Sequence, residues 1–172
     1  MKQTDLYALL RDMRAGNPAA FPAVYDMLAK PLYIIAYRIT QSKEQAEDLT
    51  QELFLKLYLS PPDETVKNPR AWIFRMMHNL AIDMTRSRQP EELPEALPDP
   101  HDALGNALLR TALDTAMETL EPEEREVISL HLNADLTFQD TARIMDRSLP
   151  SVYRCYRRAL RKLRAALEEG ES

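Results

Sequence analysis

Six cations fall in the stretch from Arg154 to Arg164: Arg154, Arg157, Arg158, Arg161, Lys162 and Arg164, with no acid between Arg147 and Glu168. Guanidinium groups pair with phosphates and with guanine edges, so a one-signed run of this kind suits nucleic acid. A solvated amphipathic helix or a membrane-surface helix would have a similar composition. The surroundings decide between them. Only Asp146 and Arg147 separate this helix from the one before it, the spacing of a helix-turn-helix. Thr137-Phe138-Gln139-Asp140 reads as a capping box for the earlier helix, and Ser148 as the cap of the later one. Ser151 and Tyr153 fall in the first turns, the part of such a helix that reaches base edges. Leu and aromatic residues are few on the exposed flank, which disfavours a membrane surface. The pattern points to DNA.

Three other groups could do chemistry. Glu47, Asp48, Gln51 and Glu52 fall on one side of a predicted helix, opposite Leu49 and Leu53. Paired carboxylates serve acid–base catalysis or metal binding, but no His lies near them. A solvated face and a protein-docking face both remain open. Arg75, Asn79 and Arg86 follow one flank of another helix, away from Ile73, Met76 and Leu80, and Asn and Arg are base-reading side chains. Trp72 beside them either stacks on a base or packs in the core. His78, His101 and His131 have no metal-ligand spacing, and Cys155 sits among arginines, which lowers a thiol pKa.

These groups need helices to hold them. Phe21, Val24, Leu28, Leu32, Ile35 and Ile39 step by three or four and predict a helix over about 20–40. Ala46, Leu49, Leu53 and Leu57 predict another over about 43–59, stopped by Pro61-Pro62. Asn68-Pro69 opens a third, carried by Trp72, Ile73, Met76 and Leu80 to about Arg88. A weaker helix occupies the first fifteen residues. Residues 89–102, with four prolines and five acids, cannot pack a core and read as a linker. Beyond it, Leu109, Leu113, Met117 and Leu120 mark one helix, and Pro122 restarts another through Val127, Ile128 and Leu132. The final stripe is Val152, Tyr156, Ala159, Leu160, Leu163 and Leu167. The expectation is an all-α chain of two small helical domains, 1–88 and 105–172, joined by a flexible acidic linker over 89–104.

Charge follows the same division. Residues 1–89 hold twelve Lys/Arg and ten Asp/Glu, residues 90–126 two and eleven, and residues 127–172 eight and six. The net charge of -5 thus hides an acidic middle between two basic-leaning ends. A single Cys excludes a disulfide framework, and three scattered glycines exclude a P-loop or dinucleotide fingerprint. The opening residues carry charges where a signal peptide needs an apolar run. A soluble, cytoplasmic chain without membrane insertion or cofactor is expected.

RAGNPAAFPAVYDMLAKPLYIIAYRIT, AEDLTQELFLKLY and NPRAWIFRMMHNLAIDMTRSR resemble the successive helices of region two of a bacterial RNA polymerase sigma factor. LDTAMETLEPEEREVISLHLNADLTFQDTARIMDRSLPSVYRCYRRALRKLRAAL is similar to region four. The group that keeps only these two regions is the extracytoplasmic-function (ECF) type, and the blocks cover most of the chain. The resemblance implies that Asp48, Gln51, Glu52 and Phe54 dock on the clamp coiled coil of core RNA polymerase. It implies that Trp72, Arg75, Asn79 and Arg86 lie where the family binds and melts the -10 element of promoter DNA. Ser148, Ser151, Tyr153, Arg154, Arg157, Arg158 and Arg161 would read the -35 element. The acidic tether would thread towards the RNA exit path, and an anti-sigma factor often holds members of the family. Three departures stand out. Asp140-Thr141-Ala142 replaces the usual Glu-Ile-Ala, and Asp146 or Arg147 must accept a turn that commonly has Gly; the turn before Leu136 lacks its Gly too.

Two rivals come from other classes. A stand-alone helix-turn-helix transcriptional regulator would need a dimer seam or sensor pocket within residues 1–89, and a small metal-dependent enzyme would need clustered ligands. The chain shows neither, so it is read as a non-enzymatic specificity subunit.

Overall fold

Two polar side chains punctuate the N-terminal half. Ser42 Oγ accepts the backbone N–H of Gln45 at 3.4 Å, and Asn68 Oδ1 accepts that of Ala71 at 3.1 Å. In the computed structural model, which describes residues 3–87 and 112–170, these caps open α3 (Lys43–Leu59) and α4 (Pro69–Arg86). Before them come α1 (Gln3–Arg14) and α2 (Ala20–Thr40). α2 stops where Gln41 turns left-handed, at φ 54°, with its N–H on the Tyr37 carbonyl. The expected stripes of α2 and α3 are buried at Val24, Leu28, Leu32 and Ile35 and at Ala46, Leu49, Leu53 and Leu57, closed over by Leu6 and Leu10 of α1. Each large aliphatic side chain so buried contributes about 1.5–3 kcal/mol.

The stripe expected on α4 is displaced. Its fully buried residues are Ile73, Phe74, Met77 and Ala81, while Trp72, Met76 and Leu80 are only half-buried. α4 packs against α2 and α3 on one side and against the C-terminal half on another, so its covered arc is wider than one stripe.

The C-terminal half is shorter-stepped. α5 covers residues 112–118, α6 is Pro122–Ile128, a π-turn spans Ser129–Asn133, α7 is Phe138–Ile144 and α8 is Leu149–Gly170. Met117 and Leu120 are buried as expected, but Leu113 is 46% exposed; Leu109 and the linker lie outside the described residues. On α8, Leu160 is also exposed, and Cys155 fills the buried row with Val152, Ala159 and Leu163. Among the described residues every regular element is helical, and no helix is long and apolar enough to cross a membrane.

The glycine-less turns bend as required. Asp135 and Asp146 adopt φ 53° and 52°. After α7, Arg147 donates its N–H to the Ala142 carbonyl at 2.9 Å, a Schellman closure around left-handed Asp146. That conformation costs an ordinary L-residue about 1–2 kcal/mol, less for Asp. Asp146→Val should therefore lower stability by roughly 1–2 kcal/mol, whereas Asp146→Gly should hold or raise it, as read from urea midpoints.

The two helical sets do not stand apart on a tether. Leu130, Ala134, Leu136 and Ile144 belong to the same buried cluster as Val24, Leu28, Phe74 and Met77. Polar contacts frame this seam. Arg38 Nη2 donates to Asp114 Oδ1 at 3.0 Å, Asn68 Nδ2 to Asp140 Oδ2 at 3.1 Å, and Arg70 Nε to the Ala134 carbonyl at 2.7 Å. His78 Nε2 meets Glu126 Oε1 at 2.5 Å. Asn68 thus uses its oxygen to cap α4 and its nitrogen to reach α7.

Candidate nucleic-acid and partner interfaces

α8 is positioned by what lies beneath it. Thr137 Oγ1 accepts the Asp140 N–H at 3.1 Å and starts α7, and the Asp146 turn then delivers α8. A ring cluster wedges the two helices: His131 stacks on Phe138 at 3.9 Å, and Tyr156 meets Phe138 edge-on at 4.9 Å. Tyr153, 49% exposed, touches Phe138 by its edge at 5.5 Å. Ser148 Oγ accepts the Ser151 N–H at 3.4 Å, the expected cap. With Val152, Cys155, Ala159 and Leu163 inward, Arg154, Arg157, Arg161 and Arg164 stand exposed on the other side.

Two cations of the run turn elsewhere. Glu124, 0% exposed, accepts Arg158 Nε at 2.5 Å, Lys162 Nζ at 2.8 Å and the Glu121 N–H at 2.9 Å. Arg158, expected among the DNA-facing arginines, is exposed but has its Nε tied to this acid. Burial pushes the Glu124 carboxyl up, but the bonds from Lys162, the Glu121 N–H and Arg158 outweigh it and hold the group down to about 2. A carboxyl held below its ordinary 4.5 stabilises the fold fully above that pH, and the contribution is lost as pH falls towards 2. The melting midpoint should drop across that window, and Glu124→Gln should remove that part of the drop while lowering stability at pH 7 by about 2–4 kcal/mol.

Cys155 corrects another expectation. Its thiol is pushed up, first by burial and then by Glu123, and Arg158 lowers it by less. It is a packing residue, with Arg158 Nη2 donating to its Sγ at 3.7 Å.

The flank of α4 is arranged as its spacing requires. Arg75, Asn79 and Arg86 are exposed, and Trp72 is half-buried against the core. These three exposed residues line a cleft of about 670 Å³ whose opposite wall is Glu123 and Glu126 of α6 and the Arg143–Arg147 turn. On α3, Asp48, Gln51 and Glu52 are exposed, with Glu52 on Lys56 at 2.7 Å. Phe54, expected on the same surface, is 3% exposed. Its ring lies 4.6 Å from Tyr25 and edge-on to Phe21, so it supports the surface from below. The sequence reading missed Leu55, Tyr58 and Leu59, which are 57%, 61% and 72% exposed. The signal was available: they continue the three-and-four stepping of Asp48, Gln51 and Glu52.

Comparison with known proteins fits this architecture. The sigma-70 region 2 family matches residues 24–91, and the sigma-70 region 4 family matches residues 116–165. The ECF RNA polymerase sigma factor SigK of Mycobacterium ulcerans is 26% identical over 97% of this chain and 96% of its own length. SigE of Mycolicibacterium smegmatis is 28% identical over 91% of this chain, which spans 66% of that relative's length. Among solved structures, CnrH in complex with the cytosolic domain of CnrY is similar at a TM-score of 0.63, with 22% identity over 96% of this chain and 98% of that one. RpoE from Bartonella quintana, in complex with the anti-sigma factor NepR, gives 0.64, with 19% identity over 86% and 96%. The chain belongs to the sigma-70 family of RNA polymerase sigma factors, in its ECF group.

Proposed function

We propose that this sigma factor docks on the clamp coiled coil of core RNA polymerase through the solvent face of α3 and reads both promoter elements without catalysing a reaction. Asp48, Gln51 and Glu52 supply the acidic part of the docking face, and Leu55, Tyr58 and Leu59 the apolar part. Arg75, Asn79 and Arg86 contact the -10 element, with Trp72 packed beneath them. Ser148, Ser151, Tyr153, Arg154, Arg157 and Arg161 contact the -35 element. Residues 1–88 and 105–172 act as the two reading domains, spaced by the acidic linker, in the cytoplasm where polymerase works. An anti-sigma protein, the kind of partner found with RpoE from Bartonella quintana, is the regulator this reading calls for.

The observation that carries this reading is the division of α8. One side is core, and the other presents Arg154, Arg157 and Arg161, on a helix delivered by the short turn over residues 145–148. Arg157→Ala in holoenzyme should cost about 1–3 kcal/mol and relax preference at one -35 position if the arginine is bidentate to guanine. If it holds only phosphate, all promoters weaken alike and the salt dependence flattens. Wild-type binding to every promoter would remove the residue from the interface.

A further inference from the structure

We propose that Glu124 is a positioning residue that sets -35 specificity by holding Arg158 and Lys162 of α8 away from DNA. The inference rests on α8 being the -35 reader.

Glu124 is the third residue of α6, 34 positions before Arg158, and its carboxylate makes three bonds at once. The bond from the Glu121 N–H fixes it to the start of α6. The other two come from residues one helical turn apart on α8, so they fix the rotation of α8 about its axis as well as its distance. At about 100° per residue, Arg154, Arg157 and Arg161 lie roughly 40–100° to one side of Arg158, and Lys162 lies about 40° to the other. The arginines offered to DNA and the cations held by Glu124 are thus neighbouring strips of one helix. Without the acid, both strips would be free cation and the helix could roll between them. With it, only one strip meets the groove.

The charge argument points the same way. Each cation placed on a phosphate adds sequence-independent affinity and about 0.9 to the slope of log affinity against log salt. Two half-exposed cations whose charge is paired with the buried Glu124 add less to binding at wrong sites, while the base-reading arginines keep their orientation. Glu124 therefore lowers indiscriminate binding and protects discrimination. A purely structural acid would do neither once the protein is folded.

The test uses holoenzyme and two duplexes, a cognate promoter and the same DNA with its -35 element scrambled, across a salt series. Glu124→Gln keeps an acceptor for the Glu121 N–H but not the charge. It should raise affinity for the scrambled duplex about 3–10-fold, steepen its salt slope by about 1–2, and cut discrimination about 5–10-fold. Adding Lys162→Gln and Arg158→Gln to Glu124→Gln should return the slope to the wild-type value. If Glu124→Gln does not fold, Lys162→Gln alone decides: an unchanged slope supports the proposal, and a slope shallower by about 1 overturns it. Folded Glu124→Gln with wild-type slope and discrimination also overturns it. If scrambling the -35 element costs wild-type holoenzyme nothing, the reading of α8 itself fails, and the proposal with it.

Discussion

Arginine at both Asp48 and Glu52 should abolish binding of the chain to core RNA polymerase while leaving its helicity intact. Both carboxylates are exposed on α3, and the core side of that helix is made by Ala46, Leu49, Leu53 and Leu57. The fold loses little. The Glu52–Lys56 contact is an exposed pair one turn apart, worth about 0.3–0.5 kcal/mol. The interface loses much, because two attractive charges become repulsive beside the apolar Leu55 and Tyr58. A loss of more than about 100-fold, or roughly 3 kcal/mol, is expected by fluorescence anisotropy with labelled chain. Unchanged affinity with preserved circular dichroism would remove α3 as the docking face.

The second large effect concerns the seam. In the closed chain, Arg75, Asn79 and Arg86 look across a cleft at Glu123 and Glu126. With α6 and the Arg143–Arg147 turn packed across from these residues, an unpaired promoter strand has little room to reach them, so the free chain should bind -10 DNA poorly until polymerase separates the two halves. Glu126→Arg replaces the acid on His78 by a cation in a cleft that already holds Arg75, Arg86, Arg143 and Arg147. The halves should part, enlarging the radius of gyration in solution scattering. Affinity of the free chain for a single-stranded -10 oligonucleotide should rise about 10-fold, as expected when a minor open state becomes the major one. A variant with the wild-type radius and wild-type affinity would mean that closure does not govern access.

Local rules carried much of this fold in the sequence. The caps at Ser42, Asn68, Thr137 and Ser148, the stripes of α2 and α3, and the left-handed turn at Asp146 all follow from residue type and spacing within one turn of helix. What was not legible depends on contacts far apart in sequence. Periodicity gives a helix face to within about one residue, so it could not choose Cys155 over Leu160, or turn Phe54 inward, without knowing which helices cover them. Arg158 looked like every other arginine of its run until α6, 34 residues earlier, brought Glu124 beneath it. Leu130, Leu136 and Ile144 pack into one core with residues of α2 and α4, a sharing that no local pattern could signal.

Run-off transcription with purified core polymerase, this chain and a pooled library of upstream DNA fragments tests the central claim most directly. The account predicts discrete transcripts that require the chain, start downstream of a common two-part motif, and vanish when either part is replaced. Transcripts indifferent to the chain, together with tight sequence-specific binding of an operator by the chain without polymerase, would contradict it.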